Sequence, residues 1–262
     1  LIEARTDEIA HVECLDMGFL EESMKLRLVA RGALNFRTYA DLIVAHEVTN
    51  DSSDRSQLSK MALASREAMG TPDLQALADR GYYNGVELKV CKDEGVAAYV
   101  PKPMTSNAKA AGRYDKTDFI YIARDDEYQC PSGQRAIHRF TTDERGLQIH
   151  VYWPSACPGC SLKDRCTTSK YRRIRRWEHE GVMDAVQQRL DREPDAMKVR
   201  RRTIEHVFGT LKHWMGSTHF LTRGIQNVAT EMSLHVLAYN LKRVLSILGF
   251  EQTKKAMHLL GA

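Results

Sequence analysis

Leu74-Gln75-Ala76-Leu77-Ala78-Asp79-Arg80-Gly81 is a short apolar run that stops at an acid and a glycine. It reads as a strand opening into a turn, because the run is short and Gly81 lets the chain swing away sharply. Residues 42–48, Leu-Ile-Val-Ala-His-Glu-Val, predict another buried strand, with a partner around 35–40. Between the two runs, Asp54 can cap a helix through Met69, which Gly70 ends before Thr71-Pro72. Downstream, Asn84 can cap a helix to Glu94, closed by Gly95, and residues 97–100 read as a strand stopped by Pro101 and Pro103. Strand, helix, strand, helix, strand is the alternation of an α/β core. Functional residues of open α/β sheets gather at the carboxyl ends of strands, which is where Asp79 falls. Its bland alternative is a cap on the following turn.

A second informative run is Arg200-Arg201-Arg202-Thr203-Ile204-Glu205-His206-Val207-Phe208-Gly209-Thr210-Leu211-Lys212. Ile204, Phe208 and Leu211 recur at helical spacing and make one apolar stripe. Glu205 is a lone carboxylate among bases, with Arg201 one turn before it and Lys212 two turns after. An acid held among bases suits a divalent metal working against a polyanion, the acid taking the metal and the bases the phosphates. An exposed helix with ordinary ion pairs is the competing reading.

Between these parts the pattern changes. Residues 104–177 carry scattered glycines, alternating aromatics such as Phe119 and Tyr121, and a cysteine group, which predicts a β-rich insertion. From about His179 helical periodicity returns. Leu234, Leu237, Leu241, Leu245 and Leu248 form a stripe expected to pack in the core. The expected organisation is a poorly defined segment 1–33, a first core part 34–103, the insertion 104–177 and a helical second core part 178–262.

The 262 residues suffice for one large domain, or a core with an insertion, and 27% charged with 43% apolar residues excludes wholesale disorder. Net charge is only +4, but Lys170, Arg172, Arg173, Arg175 and Arg176 crowd one stretch, and Lys198, Arg200, Arg201 and Arg202 another. Such clusters point to a polyanionic partner, with a solvated face as the alternative. The most apolar helix candidate is interrupted by Glu231, Lys242 and Arg243, so no membrane span is expected. The opening Leu-Ile-Glu-Ala-Arg has no apolar stretch and no initiator methionine, predicting no signal peptide and a portion of a longer protein. Six cysteines at these spacings are not a secreted disulfide framework, so a reducing cytoplasm is expected. Cys130, Cys157, Cys160 and Cys166 can close a tetrahedral structural zinc site, against the alternative of four free thiols. Trp153 and Trp177 flank the region, for packing or for stacking on bases.

Ala78-Asp79-Arg80-Gly81-Tyr82-Tyr83, the long insertion, Arg201-x3-Glu205 with Lys212, Phe220-Leu221-Thr222-Arg223 and Leu237-Ala238-Tyr239-Asn240-Leu241-Lys242-Arg243 together resemble the DDE transposases of bacterial insertion sequences, the insertion sequence 1182 type in particular. The resemblance covers residues 42–249, in order. It implies a ribonuclease H-like catalytic core interrupted by the β-rich insertion, with Asp79 as the second aspartate, Glu205 as the glutamate, and Arg201 and Lys212 as the flanking basic positions. The family's tyrosine position is Lys198 here. Counting back places the first aspartate near Asp16, with Asp7 and Asp41 as the other aspartates in range. The implied cofactor is a pair of Mg²⁺ ions (Mn²⁺ as the alternative) on Asp16, Asp79 and Glu205. The implied partner is double-stranded DNA, both element ends and target, met by Arg172, Arg173, Arg175, Arg176, Arg201 and Lys212, and the implied assembly is a homodimer. The competing function is a catalytically inactive or truncated remnant that only binds DNA.

Overall fold

Strand β1 (Ile9–Met17) lies at the centre of a five-stranded sheet in the order β3-β2-β1-β4-β5. Its neighbours are β2 (Met24–Arg31) on one side and β4 (Leu74–Ala78) on the other; β3 (Leu42–Thr49) and β5 (Val96–Tyr99) form the edges. The first three strands are antiparallel, whereas β4 runs parallel to β1 and β5 parallel to β4. Parallel neighbours need crossover connections, and α1 (Leu58–Met69) and α2 (Gly85–Asp93) supply them. The computed structural model describes residues 9–17, 24–31, 42–51, 53–103 and 107–260, with side chains described from residue 42 to 258 within those ranges.

Local chemistry explains most of these boundaries. Gly70 adopts φ +62° and its N–H closes α1 onto the Arg66 and Glu67 carbonyls, a left-handed cap that glycine reaches without strain. Asn84 accepts the Val86 N–H at 3.0 Å, as a helix cap should. The start of α1 differs from expectation. Asp54 lies in a turn, its carbonyl accepting the Gln57 N–H, and the helix begins only at Leu58. Leu58, Met61, Ala62 and Ser65 then share one buried face, against Leu74, Ala76 and Ala78 of β4, Leu88 and Cys91 of α2, and Val182 and Val186 of α3 (Glu180–Arg192).

The segment expected to hold little structure, residues 1–33, carries β1 and β2. Backbone pairing with both β3 and β4 organises it, which a local hydrophobic pattern does not report. The strand expected at 35–40 lies outside the described residues. The chain divides into one compact unit of residues 1–103 and 182–262 and a second of residues 104–181.

In the second unit, β6 (Ile120–Ile122), β7 (Glu127–Gln129), β8 (Arg135–Glu144), β9 (Leu147–Trp153) and β10 (Ile174–Trp177) make an antiparallel sheet in the order β10-β9-β8-β7-β6. The β8–β9 hairpin turns at Arg145 and Gly146, φ +56° and +80°, and Asp143 accepts the Gly146 N–H. Two adjacent left-handed residues match the twist of a tight hairpin. Phe119, Tyr128, Ala136, Tyr152 and Ile174 form the core of this unit.

The remaining elements are α4 (Ala196–Gly209), a π-helical turn (Thr210–Trp214), α5 (Ile225–Leu248) and α6 (Phe250–Leu260). Here the leucine stripe departs from expectation. Leu234 and Leu237 are each 63% exposed, and Leu241 and Leu248 are exposed too. The face of α5 that packs instead holds Val228, Met232, Val236 and Tyr239, against Ile43 and Val48 of β3 and Val207, Leu211 and Phe220. Both faces of α5 carry an apolar stripe at helical spacing, and docking on β3 selected one of them. Among the described residues, no helix is long and apolar enough to cross a membrane.

Candidate active site

Asp79 follows directly on β4, at the carboxyl end of a central parallel strand. Its Oδ1 accepts the Gly81 N–H at 2.7 Å and so caps the short 3₁₀ turn that follows. A Cβ at position 81 would meet that same oxygen at 2.9 Å, which is why the acid is followed two residues on by glycine. The Asp79 side chain is 44% exposed.

Neighbouring β1 is aligned with β4 by the pairs Ile9–Gln75 through Val12–Ala78. Continuing that register puts Glu13 level with Asp79. Asp16, paired with Lys25 of β2, lies three residues further, about 10 Å along at ~3.3 Å per residue. Asp16 is thus on the expected strand but not at the level of Asp79, and its side chain is outside those described. Asp7 and Asp41 lie outside the described residues.

Helix α4 packs against β1 and β4. Thr203, Ile204 and Val207 are its buried positions, with Phe208 half-buried, and Leu211 is buried in the π-helical turn that follows. Arg200, one helical turn before Ile204, falls on that same face. Its Nη2 stands 3.9 Å from Asp79 Oδ2, at the outer limit of an ion pair. Burial pulls the Arg200 pKa down to about 10, with Arg201 adding to the effect and Glu205 opposing it. One half-buried guanidinium therefore lies in the electrostatic range of Glu205 and at the edge of ion-pair range to Asp79. Glu205 and Arg201 are exposed, while Lys212 is half-buried within the π-helical turn. The wider π turn shifts Lys212 around the axis relative to the α-helical phase that its spacing from Glu205 predicts. Arg200 is the residue that reading Arg201 by motif overlooked. The signal was present: position 200 is in phase with Ile204, Val207 and Leu211, and position 201 is not.

The loop leading into α5 is held by one carboxylate. Glu231 accepts the N–H groups of Leu221 and Thr222 and the Thr222 hydroxyl, at 2.8, 2.9 and 2.7 Å. Burial pushes its pKa upward, but the Thr222 hydroxyl and the two backbone N–H groups outweigh it, and the net shift is downward. A carboxylate lowered in the folded state adds stability above its unfolded pKa and loses it as pH falls through the folded value. Glu231→Gln is therefore expected to cost about 1 kcal/mol at neutral pH. The deficit should shrink in acid, below the ordinary glutamate range. Thermal melts of both proteins from pH 7 to pH 3 check this, and a deficit independent of pH rejects it.

The expected basic cluster does not form one face. Strand β10 alternates: Ile174 is buried, and Arg172 and Arg176 are half-buried on its side. The Arg172 guanidinium lies 5.5 Å from the Phe119 ring centroid; that of Arg176 lies 3.7 Å from Tyr121 and donates to the Tyr128 hydroxyl. These two arginines are committed to aromatic packing. Arg173 and Arg175 are exposed, Arg173 at 5.5 Å from the Trp153 ring and Arg175 paired with Glu144. Trp153 also carries Arg139 at 5.4 Å and meets Phe140 and Tyr171, whereas Trp177 is buried. The period-2 geometry of a strand separates residues that a run of bases presents together.

Cys130, Cys157, Cys160 and Cys166 line one cavity in the second unit, together with Phe119 and Arg172. All four are free thiols. Among the described residues, no three His, Cys, Asp or Glu side chains are already disposed to hold a metal ion.

Residues 129–245 match the family model described as the transposase DDE domain. The match spans β8 to α4 and nearly all of α5, so it includes Glu205 and the cysteines but not Asp79. No curated protein matches the chain. The family match supports a DDE transposase with DNA as its partner.

Proposed function

We propose that this chain is the catalytic portion of a DDE transposase of the insertion sequence 1182 type, with a ribonuclease H-like core that cleaves and transfers DNA strands. One observation carries the reading. A strand-end acid, Asp79, and a helical acid, Glu205, come from distant parts of the sequence, and Arg200 stands 3.9 Å from Asp79 and within electrostatic range of Glu205. The family match over α4 and the sheet order β3-β2-β1-β4-β5 support the same reading.

Asp79 and Glu205 offer the hard carboxylate oxygens that Mg²⁺ or Mn²⁺ takes, and both side chains are open to solvent, so each could serve as a donor. An acid from β1 would complete it, Asp16 by sequence separation or Glu13 by register. When bound, a metal pair supplies charge neutralisation at the attacking and leaving oxygens of an in-line phosphoryl transfer. The chain's own part is to hold the carboxylates. Gly81 N–H fixes Asp79 through Oδ1 and leaves Oδ2 without that bond, and the buried Ile204 and Val207 anchor the helix that carries Glu205. Arg201 and Lys212 add positive charge on the same helical segment for phosphates.

A DNA-binding remnant is the second reading, favoured by the register that sets Glu13, not an aspartate, level with Asp79. Purified chain with a plasmid bearing the element's terminal repeats, in Mg²⁺ or Mn²⁺, decides. Nicking that Asp16→Asn or Glu13→Gln removes supports the enzyme; retarded but intact DNA supports the remnant.

DNA binding has its own expected signature. Replacing both Arg173 and Arg175 by alanine should flatten the dependence of log K on log salt by about 1–2, at ~0.9 per released phosphate contact. Arg172 and Arg176 are unsuitable partners in this test, because their loss disturbs the aromatic core. Titrations at several salt concentrations with an unchanged slope would remove the outer face of β10 from the interface.

A further inference from the structure

We propose that Cys130, Cys157, Cys160 and Cys166 hold one structural zinc ion, and that Arg172 offsets its charge. The inference stands apart from the catalytic reading and concerns the second unit alone. Two sets of tight turns deliver the four sulfurs to one cavity. In the β7–β8 connection, Cys130 N–H donates to Gln134 O and Gly133 N–H returns to Cys130 O, with Gly133 at φ +81°. After β9, the 3₁₀ turns Cys157–Gly159 and Lys163–Arg165 carry the other three, through Cys160 N–H to Cys157 O and Cys166 N–H to Lys163 O.

Polar groups stand beside two of the sulfurs. Leu162 N–H donates to Cys160 Sγ at 3.4 Å, and Ser132 Oγ is 3.0 Å from Cys130 Sγ. More telling is Arg172. Its Nε is buried and has no hydrogen-bond partner among the described residues, yet it lines the cavity of the thiols. A cationic N–H buried beside four neutral thiols is costly. Four thiolates around Zn²⁺ carry a net charge of about −2, which the guanidinium would oppose. Zinc binding releases the four thiol protons to solvent and forms four Zn–S bonds, with no change of oxidation state. Among the described residues no three of these side chains are disposed to hold a metal ion, so binding would have to draw the sulfurs together. Soft thiolates select zinc over the hard ions of a carboxylate site. The unit's own core is small, and Cys130 and Cys166 already pack against it, so a metal staple adds stability where apolar burial is limited.

Elemental analysis of the whole purified chain, prepared under reducing conditions, tests this. The expected result is one zinc per chain, released by a mercurial as these thiols react, and lost in Cys160→Ser and Cys166→Ser. Should those variants fail to fold, Co²⁺ exchanged into the unaltered chain should give the absorption of a tetrahedral tetrathiolate. Arg172→Met, which keeps an unbranched side chain against Phe119 and removes the charge, should weaken zinc in competition with a chromophoric chelator by about 10-fold or more. Zinc-free protein with four reactive thiols and no cobalt spectrum overturns the site, as does iron in its place. Unchanged affinity in Arg172→Met overturns the charge-offset role.

Discussion

Glu205→Gln is expected to lower the proposed Mg²⁺-dependent strand cleavage by about 10³-fold or more while leaving the melting temperature and DNA affinity close to those of the unaltered chain. The magnitude follows from removing preorganised charge at a site where negative charge builds on phosphate, where even one neutral donor is worth about 10²–10³. The small structural cost follows from exposure: Glu205 lies beside the buried stripe of α4, not within it. Asp79→Asn should match it. An asparagine keeps an oxygen for the Gly81 N–H that caps the turn at 2.7 Å, so the loop stays folded and only the charge is lost. Cleavage of a terminal-repeat plasmid, read beside binding titrations, separates chemistry from affinity. Cleavage within tenfold of the unaltered level in either variant would sink the active-site assignment. Parallel loss of binding and cleavage would show that these acids act on structure.

Asn240→Leu is expected to destabilise the first unit by about 2 kcal/mol, lowering the melting temperature by roughly 4–8 °C. Asn240 Oδ1 accepts the Ile43 N–H at 2.9 Å, and Nδ2 donates to the Ile43 carbonyl at 2.8 Å. Ile43 belongs to β3, an edge strand, so among the described residues these two backbone groups have no further strand to pair with. One amide supplies both partners and fastens α5 to the sheet, helped by the His46–Ser233 contact about two turns earlier on the same helical face. Leucine removes donor and acceptor together and leaves the peptide groups of Ile43 under an apolar side chain. Partial burial keeps the cost below that of two fully orphaned groups. A melting temperature within about 1 °C of the unaltered chain would mean that water replaces the amide at no net loss.

The alternation of short apolar runs with capped helices, from residue 42 to residue 99, is local chemistry and was legible as such. Leu74–Ala78 reads as β4 to the residue, and Asn84 and Gly70 mark helix ends because their side-chain and backbone preferences act within a few residues. The sequence by itself also brought Asp79 and Glu205 forward, and grouped the four cysteines before any cavity was seen. The tertiary structure decided what depends on partners distant in the chain. It placed β1 between β2 and β4, a pairing with no local signature, and thereby set Glu13 rather than Asp16 level with Asp79. It chose Val228, Met232, Val236 and Tyr239 over the leucine stripe of α5, since only one of two apolar faces can meet β3. It turned Arg172 and Arg176 inward and Arg173 and Arg175 outward, because a strand alternates its sides. It put Arg200, not Arg201, beside Asp79, because the phase of a helix is set by the surface it packs against.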